Sequence, residues 1–434
     1  MLNGPILSTM LALGLPVILV IAAQTFVAVL EAYWISRLGT DAVAGVSLVL
    51  PLFVLMGTMS NGGIGGGVSS AIARAIGAGK SEDANVLLTH AVLIAMLFGI
   101  AFTVIMLLAG RPIYAALGGT GQALGEALAY SQWVFSLSVP IWLVNLIGSA
   151  LRGAGEVRLP ARISLIGAVV LVPLVPALMF GFGPIPRMEI AGAGVALGVY
   201  YGGALIVLLR YLLTGRGVLT LTLHPFASAY VTAIMGVGLI SAIGTLTASL
   251  TTVAITGTVG RYGAASLAGF GIASRVDSLL VPLLFGLGTA VVTMVGVATG
   301  AGQLERARRV AWTAAALAFC VTEAVGLLLA LYPALWNGIF TQDIAVLSAG
   351  NVYFRAVAPF YGFIGLGLVL YFACQGLGKM AWPFAAGIAR LGVTAMGAWW
   401  LASTGAALAT VFVAVAGGAV LFGLVNAYGF SRSA

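Results

Sequence analysis

Apolar stretches of about 20 residues recur from one end of this chain to the other, each long enough to cross a bilayer core of roughly 30 Å as a helix. Charged residues make up 7% of the chain and hydrophobic residues 61%. A soluble domain carries roughly 25% and 45–50%. The chain is therefore read as an all-α integral membrane protein. Twelve spans are predicted at about 7–35, 44–72, 84–109, 122–149, 159–181, 190–213, 226–257, 267–298, 307–333, 344–372, 380–402 and 405–428. The first run belongs to this series and no cleavage site follows it, so a retained helix is expected and not a signal peptide.

The longest polar interval, 214–225, lies midway along the chain. It divides an N-lobe of six helices (1–213) from a C-lobe of six (226–434), with 214–225 as a cytoplasmic linker. The two halves repeat one another. Ser36-Arg-Leu-Gly-Thr-Asp-Ala-Val-Ala-Gly45 returns as Gly260-Arg-Tyr-Gly-Ala-Ala-Ser-Leu-Ala-Gly269, shifted by 224 (269 − 45). Gly77-Ala-Gly79 returns as Gly300-Ala-Gly302, shifted by 223 (300 − 77). Arg152-Gly-Ala-Gly-Glu-Val-Arg-Leu-Pro160 returns as Gln375-Gly-Leu-Gly-Lys-Met-Ala-Trp-Pro383, shifted by 223 (375 − 152). Internal symmetry of this kind is typical of transporter folds, whose substrate sites lie between the repeats.

The net charge is +8. With both termini in the cytoplasm, the inner side holds twelve basic residues: Arg74, Lys80, Arg152, Arg158, Arg162, Arg210, Arg216, Arg306, Arg308, Arg309, Lys379 and Arg432. The outer side holds four, Arg37, Arg111, Arg187 and Arg261. The positive-inside rule accounts for that split, and nucleic acid is not expected as a partner. Cys320 and Cys374 fall inside spans and make no disulfide framework. His90 and His224 lie near no Cys or carboxylate at ligand spacing, so no metal site or other cofactor is expected.

Glu31 ends the apolar run that begins near Ile6, and the second repeat has Ile255 in its place. An ionisable group within or beside the hydrocarbon layer is costly and by default marks a function. The structural alternative is a side chain that snorkels to the headgroups or pairs with Arg37. Gly62-Gly-Ile-Gly-Gly-Gly67 lacks the Lys-Ser/Thr ending of a phosphate loop and reads as close helix packing or a flexible point. Pro16, Pro51, Pro140, Pro173 and Pro176 are expected to kink their spans.

In order and spacing, the Glu31–Gly45 block, Ala73-Arg-Ala-Ile-Gly-Ala-Gly-Lys80, Leu151-Arg-Gly-Ala-Gly155, Ala268-Gly-Phe-Gly-Ile-Ala-Ser-Arg275 and Gln375-Gly-Leu-Gly378 resemble the multidrug and toxic compound extrusion (MATE) transporters. The DNA-damage-inducible-protein-F-like branch is the most similar. The resemblance covers essentially the whole chain. It implies two six-helix lobes facing each other across a central cleft. It also implies export of an amphipathic, often cationic compound in exchange for protons or sodium ions. In prokaryotic branches the first helix usually carries an Asp at the position matching Glu31, thought to take up the coupling cation. Two departures are visible. The fifth-helix Asn and Asp of many relatives fall on Leu171 and Val175, and Ile240–Gly257 has no seventh-helix acid.

Sodium wants several oxygen ligands. Gln24 lies on the same helical face as Glu31, and Ser60, Asn61 and Asn145 on other spans offer more oxygens. That set has one formal negative charge. A proton needs a single basic group, so proton coupling through Glu31 is the preferred reading and sodium the lesser one. Ser241, Thr245, Ser249 and Thr252 form a hydroxyl stripe on the seventh span, either a polar wall of the cleft or helix–helix hydrogen bonds. Tyr130, Gln132, Trp133, Ser136, Tyr353 and Tyr361 offer aromatic and polar surface to a planar cation, or an interfacial belt. Arg275, Arg355 and Arg390 are expected to pair across helices with Asp277, Glu323 and Glu126, with Asp277 alternatively a second proton or substrate site.

The expected protein is thus a monomeric secondary transporter of the bacterial inner membrane, exporting small organic cations and contacting membrane lipid. A flippase of a lipid-linked precursor is the main rival. An enzyme is disfavoured, since no Ser/His/Asp set or Asp pair falls at membrane depth. No ring of repeated charges marks a channel.

Overall fold

The computed structural model describes residues 2–184, 186–215, 217–222 and 224–434. Arg216, assigned above to the inner side, lies outside the described residues, as do Ile185 and one linker residue, Leu223. The first repeat consists of α1 (Ile6–Ser36), α2 (Thr40–Thr58), a π-helical turn at Met59–Gly63, α3 (Ile64–Gly77), α4 (Ser81–Ala116), α5 (Gly121–Ser136), α6 (Ser138–Gly153), α7 (Arg158–Phe180) and α8 (Ile190–Leu213). The second consists of α9 (Ser228–Gly260), α10 (Ala264–Ala273), α11 (Arg275–Gly300), α12 (Leu304–Leu331), α13 (Ala334–Phe340), α14 (Ile344–Val357), a 3₁₀ turn at Ala358–Phe360, α15 (Tyr361–Leu377), α16 (Ala381–Leu391), a π-helical turn at Gly392–Met396, α17 (Gly397–Ser403) and α18 (Leu408–Ser433).

Among the described residues, eleven continuous or gently broken helices are long and apolar enough to cross a membrane. The pair α5 and α6, bent by 48°, makes a twelfth. This is the predicted number, six in each repeat. The prolines expected to kink their spans do not end them. α1 runs on through Pro16, α2 through Pro51, and α7 through Pro173 and Pro176. Pro140 lies in the first turn of α6, where a missing N–H costs no helical bond. The sharp bend is just before it, at Leu137.

By contacts the chain divides into two compact units, Pro16–Gly238 and Met1–Leu15 with Leu239–Ala434. Chain order alone placed the division at 214–225. The contacts instead divide α1 at Leu15 and Pro16, and α9 at Gly238 and Leu239. Within the unit 16–238, α2 packs on α5, α3 and α4 on α6, and α7 on α8. Within the other unit, α10 packs on α14, α11 and α12 on α15, and α16 on α18. The repeat offset is preserved in these contacts. A Cβ on Gly153 would strike the Ser69 carbonyl, and one on Gly376 would stand 2.8 Å from the Val292 carbonyl. Both members of that pair are shifted by 223 (376 − 153 and 292 − 69). Small residues let backbones approach closely where lipid supplies no hydrophobic drive. The glycine run does the same, for a Cβ on Gly65 would lie 2.5 Å from the Ser149 hydroxyl.

Each repeat breaks its fourth span, and each break is repaired with different chemistry. Backbone groups freed at membrane depth must find protein partners. At Leu137 the Phe135 carbonyl accepts from Thr103 Oγ1 at 2.7 Å and Ser138 Oγ at 2.8 Å. At the second break the Gly362 N–H donates to Glu323 Oε2 at 2.7 Å. Glu323 therefore caps α15 from α12 and pairs with no arginine among the described residues.

Candidate functional site

Glu31 lies five residues (36 − 31) from the last residue of α1 and is half-buried. The Tyr130 hydroxyl, on α5, donates to Glu31 Oε1 at 3.0 Å. Tyr130 is 2% exposed, so its phenol is available to little else. Tyr201 of α8 lies within electrostatic range of the Glu31 carboxylate, and its ring packs on that of Tyr200 at 4.7 Å between centroids. The Tyr200 hydroxyl lies beside the side chains of Ser164 and Gln24. Gln24 and Glu31 are thus joined to one polar strip within the unit 16–238, built from α1, α5, α7 and α8. Arg37 takes no part. Its Nη2 donates to the Tyr33 hydroxyl at 2.6 Å and its guanidinium stacks over the Tyr33 ring at 5.1 Å.

Asn61 and Asn145, expected to add oxygens near Glu31, belong to a second polar group. Asn145 Nδ2 donates to Ser60 Oγ at 2.8 Å. Arg152 Nη2 donates to Asn61 Oδ1 at 2.6 Å and to Ser149 Oγ at 2.7 Å. The π-helical turn makes this group possible, because its extra residue aims both Ser60 and Asn61 at α6. The Asn61 carbonyl is occupied by a guanidinium, a poor start for a sodium ligand.

Gln132 and Ser136 are exposed on α5, and the Ser136 hydroxyl donates back to the Gln132 carbonyl at 2.6 Å. The hydroxyl stripe on α9 mostly bonds to its own helix. Thr245 donates to Ala242 O at 2.7 Å, Ser249 to Thr245 O at 3.1 Å, and Thr252 to Ala248 O at 3.3 Å. Ser241 is different: it is buried and accepts from Gln375 Nε2 of α15 at 2.9 Å.

In the second repeat the expected arginine–carboxylate pairs do not form. Among the described residues the ion pairs are Lys80–Asp83, Arg187–Glu189 and Arg309–Glu305, and none involves Arg275, Arg355 or Arg390. Arg275 stacks on Phe340 at 5.5 Å and Arg390 on Phe422 at 5.4 Å, while Arg355 is exposed. Asp277 instead accepts from the Tyr353 hydroxyl at 2.8 Å. The physical reason is desolvation. Burying a full ion pair removes two charges from water, whereas a phenol meets one carboxylate at the cost of no second charge. Tyr361 is 1% exposed and stands beside Asp277.

Sequence reasoning missed Tyr200, Tyr201 and the role of Arg152. The adjacent tyrosines in the otherwise apolar Gly198-Val-Tyr-Tyr-Gly202 were a signal that went unread.

What the Glu31 site can do follows from its surroundings. A carboxylate held by one phenol, with no cation pairing it among the described residues, is an acceptor for a proton or another cation. Comparison with known proteins agrees with a transporter. The MatE family model matches residues 16–177 and again 241–426. A FAD transporter of Shewanella oneidensis is 25% identical over 380 residues, covering 86% of this chain and 82% of its own. A probable multidrug resistance protein NorM of Thermotoga maritima is 26% identical over 321 residues, covering 73% of this chain and 68% of its own. In fold, a MOP superfamily transporter from Pyrococcus furiosus superposes with a TM-score of 0.90 at 23% identity, covering 100% of this chain and 97% of that one. Two matched segments, one in each repeat, together span most of the sequence, and the chain belongs to the MatE family of multidrug efflux transporters.

Proposed function

We propose that this transporter exports amphipathic or cationic compounds in exchange for protons, with Glu31 as the carboxylate that carries the coupling proton. The observation behind this reading is the Glu31–Tyr130 hydrogen bond, at a carboxylate that makes no ion pair among the described residues. Ionised, Glu31 attracts a cationic substrate. Protonated, it loses that attraction, so proton and substrate compete for one group. A ligand shifts such an equilibrium only by its differential affinity for the two states. In one-for-one exchange of a proton for a monovalent cation the membrane potential cancels, so the pH gradient drives transport, and one pH unit supplies about 1.4 kcal/mol, enough for a substrate gradient of roughly tenfold. Sodium coupling is less favoured, because Asn61 and Asn145 are engaged with Arg152 and Ser60. The location proposed is the bacterial inner membrane, as a monomer with both termini and the 214–225 linker in the cytoplasm, in keeping with the basic residues on that side.

The relative named as a FAD transporter favours a second reading, in which the cargo bears phosphate and is not a cation. One experiment separates these readings. Efflux of ethidium and of FAD is followed in inverted vesicles, with imposed pH or sodium gradients, for wild type and Glu31→Gln. The expected result is pH-driven ethidium transport that falls at least about tenfold in the variant. Wild-type rates in Glu31→Gln would remove Glu31 from the mechanism, and transport of FAD alone would establish the second reading.

A further inference from the structure

The two repeats share one feature that neither the repeat motifs nor the Glu31 site explains. Tyr130 and Tyr353 occupy the same place in the repeat, 223 residues apart (353 − 130). Each is 2% exposed. Each ends on a membrane carboxylate, Glu31 at 3.0 Å and Asp277 at 2.8 Å. The acids themselves are not repeat mates. Ile255 stands where a second copy of Glu31 would be, and Val54 where a first copy of Asp277 would be. The tyrosine is thus retained while the acid reaches it from α1 in one repeat and from α11 in the other. An apolar residue at either position would have been cheaper for packing alone.

We infer that Asp277, held by Tyr353 and flanked by Tyr361, is a second proton-binding carboxylate, so that each repeat of this transporter carries one exchangeable carboxyl group. The surroundings of Asp277 are specific. Oδ2 takes the Tyr353 hydroxyl, while Oδ1 and the Tyr361 hydroxyl are both buried with no well-formed hydrogen bond among the described residues, although the two side chains stand beside one another. The charged or titratable groups facing it are Tyr353 from α14, Tyr361 from α15 and Arg390 from α16. Arg390 is not close enough to form an ion pair and rests on Phe422. Arg275, two residues away on α11, stacks on Phe340. The Tyr353 ring that holds Asp277 is itself packed against Phe270, Phe354 and Phe412, each no more than 5% exposed. A substrate molecule would need room among these rings. A proton needs none. It moves from water onto the Asp277 carboxylate, which becomes a donor beside the Tyr361 hydroxyl, and no other covalent bond is made or broken. The inference deepens the proton-exchange reading and rests on it only for the use made of the proton.

The test is a pH titration of the purified full-length protein, followed by infrared difference spectroscopy in the C=O stretch of protonated carboxyl groups. It is run in choline chloride and again in sodium chloride. Wild type should show a band that Asp277→Asn removes and Glu31→Gln leaves in place. Tyr353→Phe and Tyr361→Phe should each move the midpoint of that band, Tyr353→Phe by about one pH unit, the change expected on losing a hydrogen bond to a charged group. These two variants carry the test if Asp277→Asn does not fold. An Asp277→Asn spectrum that titrates as wild type overturns the inference, as does a midpoint unmoved in both tyrosine variants. Displacement of the midpoint by sodium reassigns the site to a metal cation and also overturns it. Loss of a separate band in Glu31→Gln reports on Glu31 alone, so either carboxyl can fail without the other.

Discussion

Tyr130 was expected as an aromatic surface for substrate, and the structure gives its hydroxyl a second task as the donor to Glu31. Ninety-nine residues separate the two, and no local periodicity links positions so far apart. The acid itself was legible, because a carboxylate beside a long apolar run is expensive wherever the chain folds. Its partner was not, because many residues on neighbouring spans had comparable standing until the packing chose one. Removing that partner gives the first prediction. Tyr130→Phe keeps the ring and deletes the hydroxyl, a hydrogen bond to a charged group worth about 1.5–3 kcal/mol. Proton-driven efflux of ethidium should fall roughly tenfold or more. Tyr33→Phe, which loses only a contact with exposed Arg37, should transport as wild type. Equal losses in both variants would mean that the phenols matter for packing and not for the carboxylate.

At the scale of helices, the breaks in the fourth span of each repeat show how the same geometry is met by different residues. Thr103 serves the freed carbonyl in one, and Glu323 the freed amide in the other. Glu323→Gln retains an acceptor and should leave melting temperature and export close to wild type. Glu323→Leu leaves the Gly362 N–H without its partner and should destabilise the protein by about 1–3 kcal/mol, read as a lowered melting temperature in detergent. Loss of export in Glu323→Gln without loss of stability would instead make Glu323 a transport residue. Helix contact is similarly testable. Gly153→Ala places a methyl against the Ser69 carbonyl and should cost about 1–3 kcal/mol, whereas Gly202→Ala enters open space and should be near neutral. The glycine-rich second span announced close packing in sequence. The π-helical turn inside it did not, since no residue type there demands one.

For the whole molecule, topology is the property most open to direct measurement. Arg187 is exposed in the connection between α7 and α8, and Arg308 on the first turns of α12. In a background with Cys320→Ser and Cys374→Ala, Arg187→Cys should react with a membrane-impermeant maleimide in intact cells. Arg308→Cys should react only in inverted vesicles. The reverse pattern would overturn the assigned orientation. The linker is held on the unit 16–238 by α4. The Thr220 N–H donates to Asn85 Oδ1 at 2.9 Å, Thr89 donates to the Thr222 carbonyl at 2.6 Å, and the Ala227 N–H donates to His90 Nε2 at 3.0 Å. Neither the histidine nor the asparagine suggested this in sequence.

Twelve spans, their duplication and a single acid in the first helix could be read from the amino acids alone. A helix that crosses hydrocarbon must be long and apolar, and a repeated motif keeps its spacing whatever its partners. The polar bonds inside the bundle were decided by tertiary structure. Arginines that looked destined for carboxylates lie on aromatic rings, and Asp277 and Glu31 each end on a tyrosine from a distant span. Burying a charge is penalised everywhere in a membrane protein, but what relieves that penalty depends on which neighbour the packing brings within 3 Å, and sequence spacing does not contain that distance.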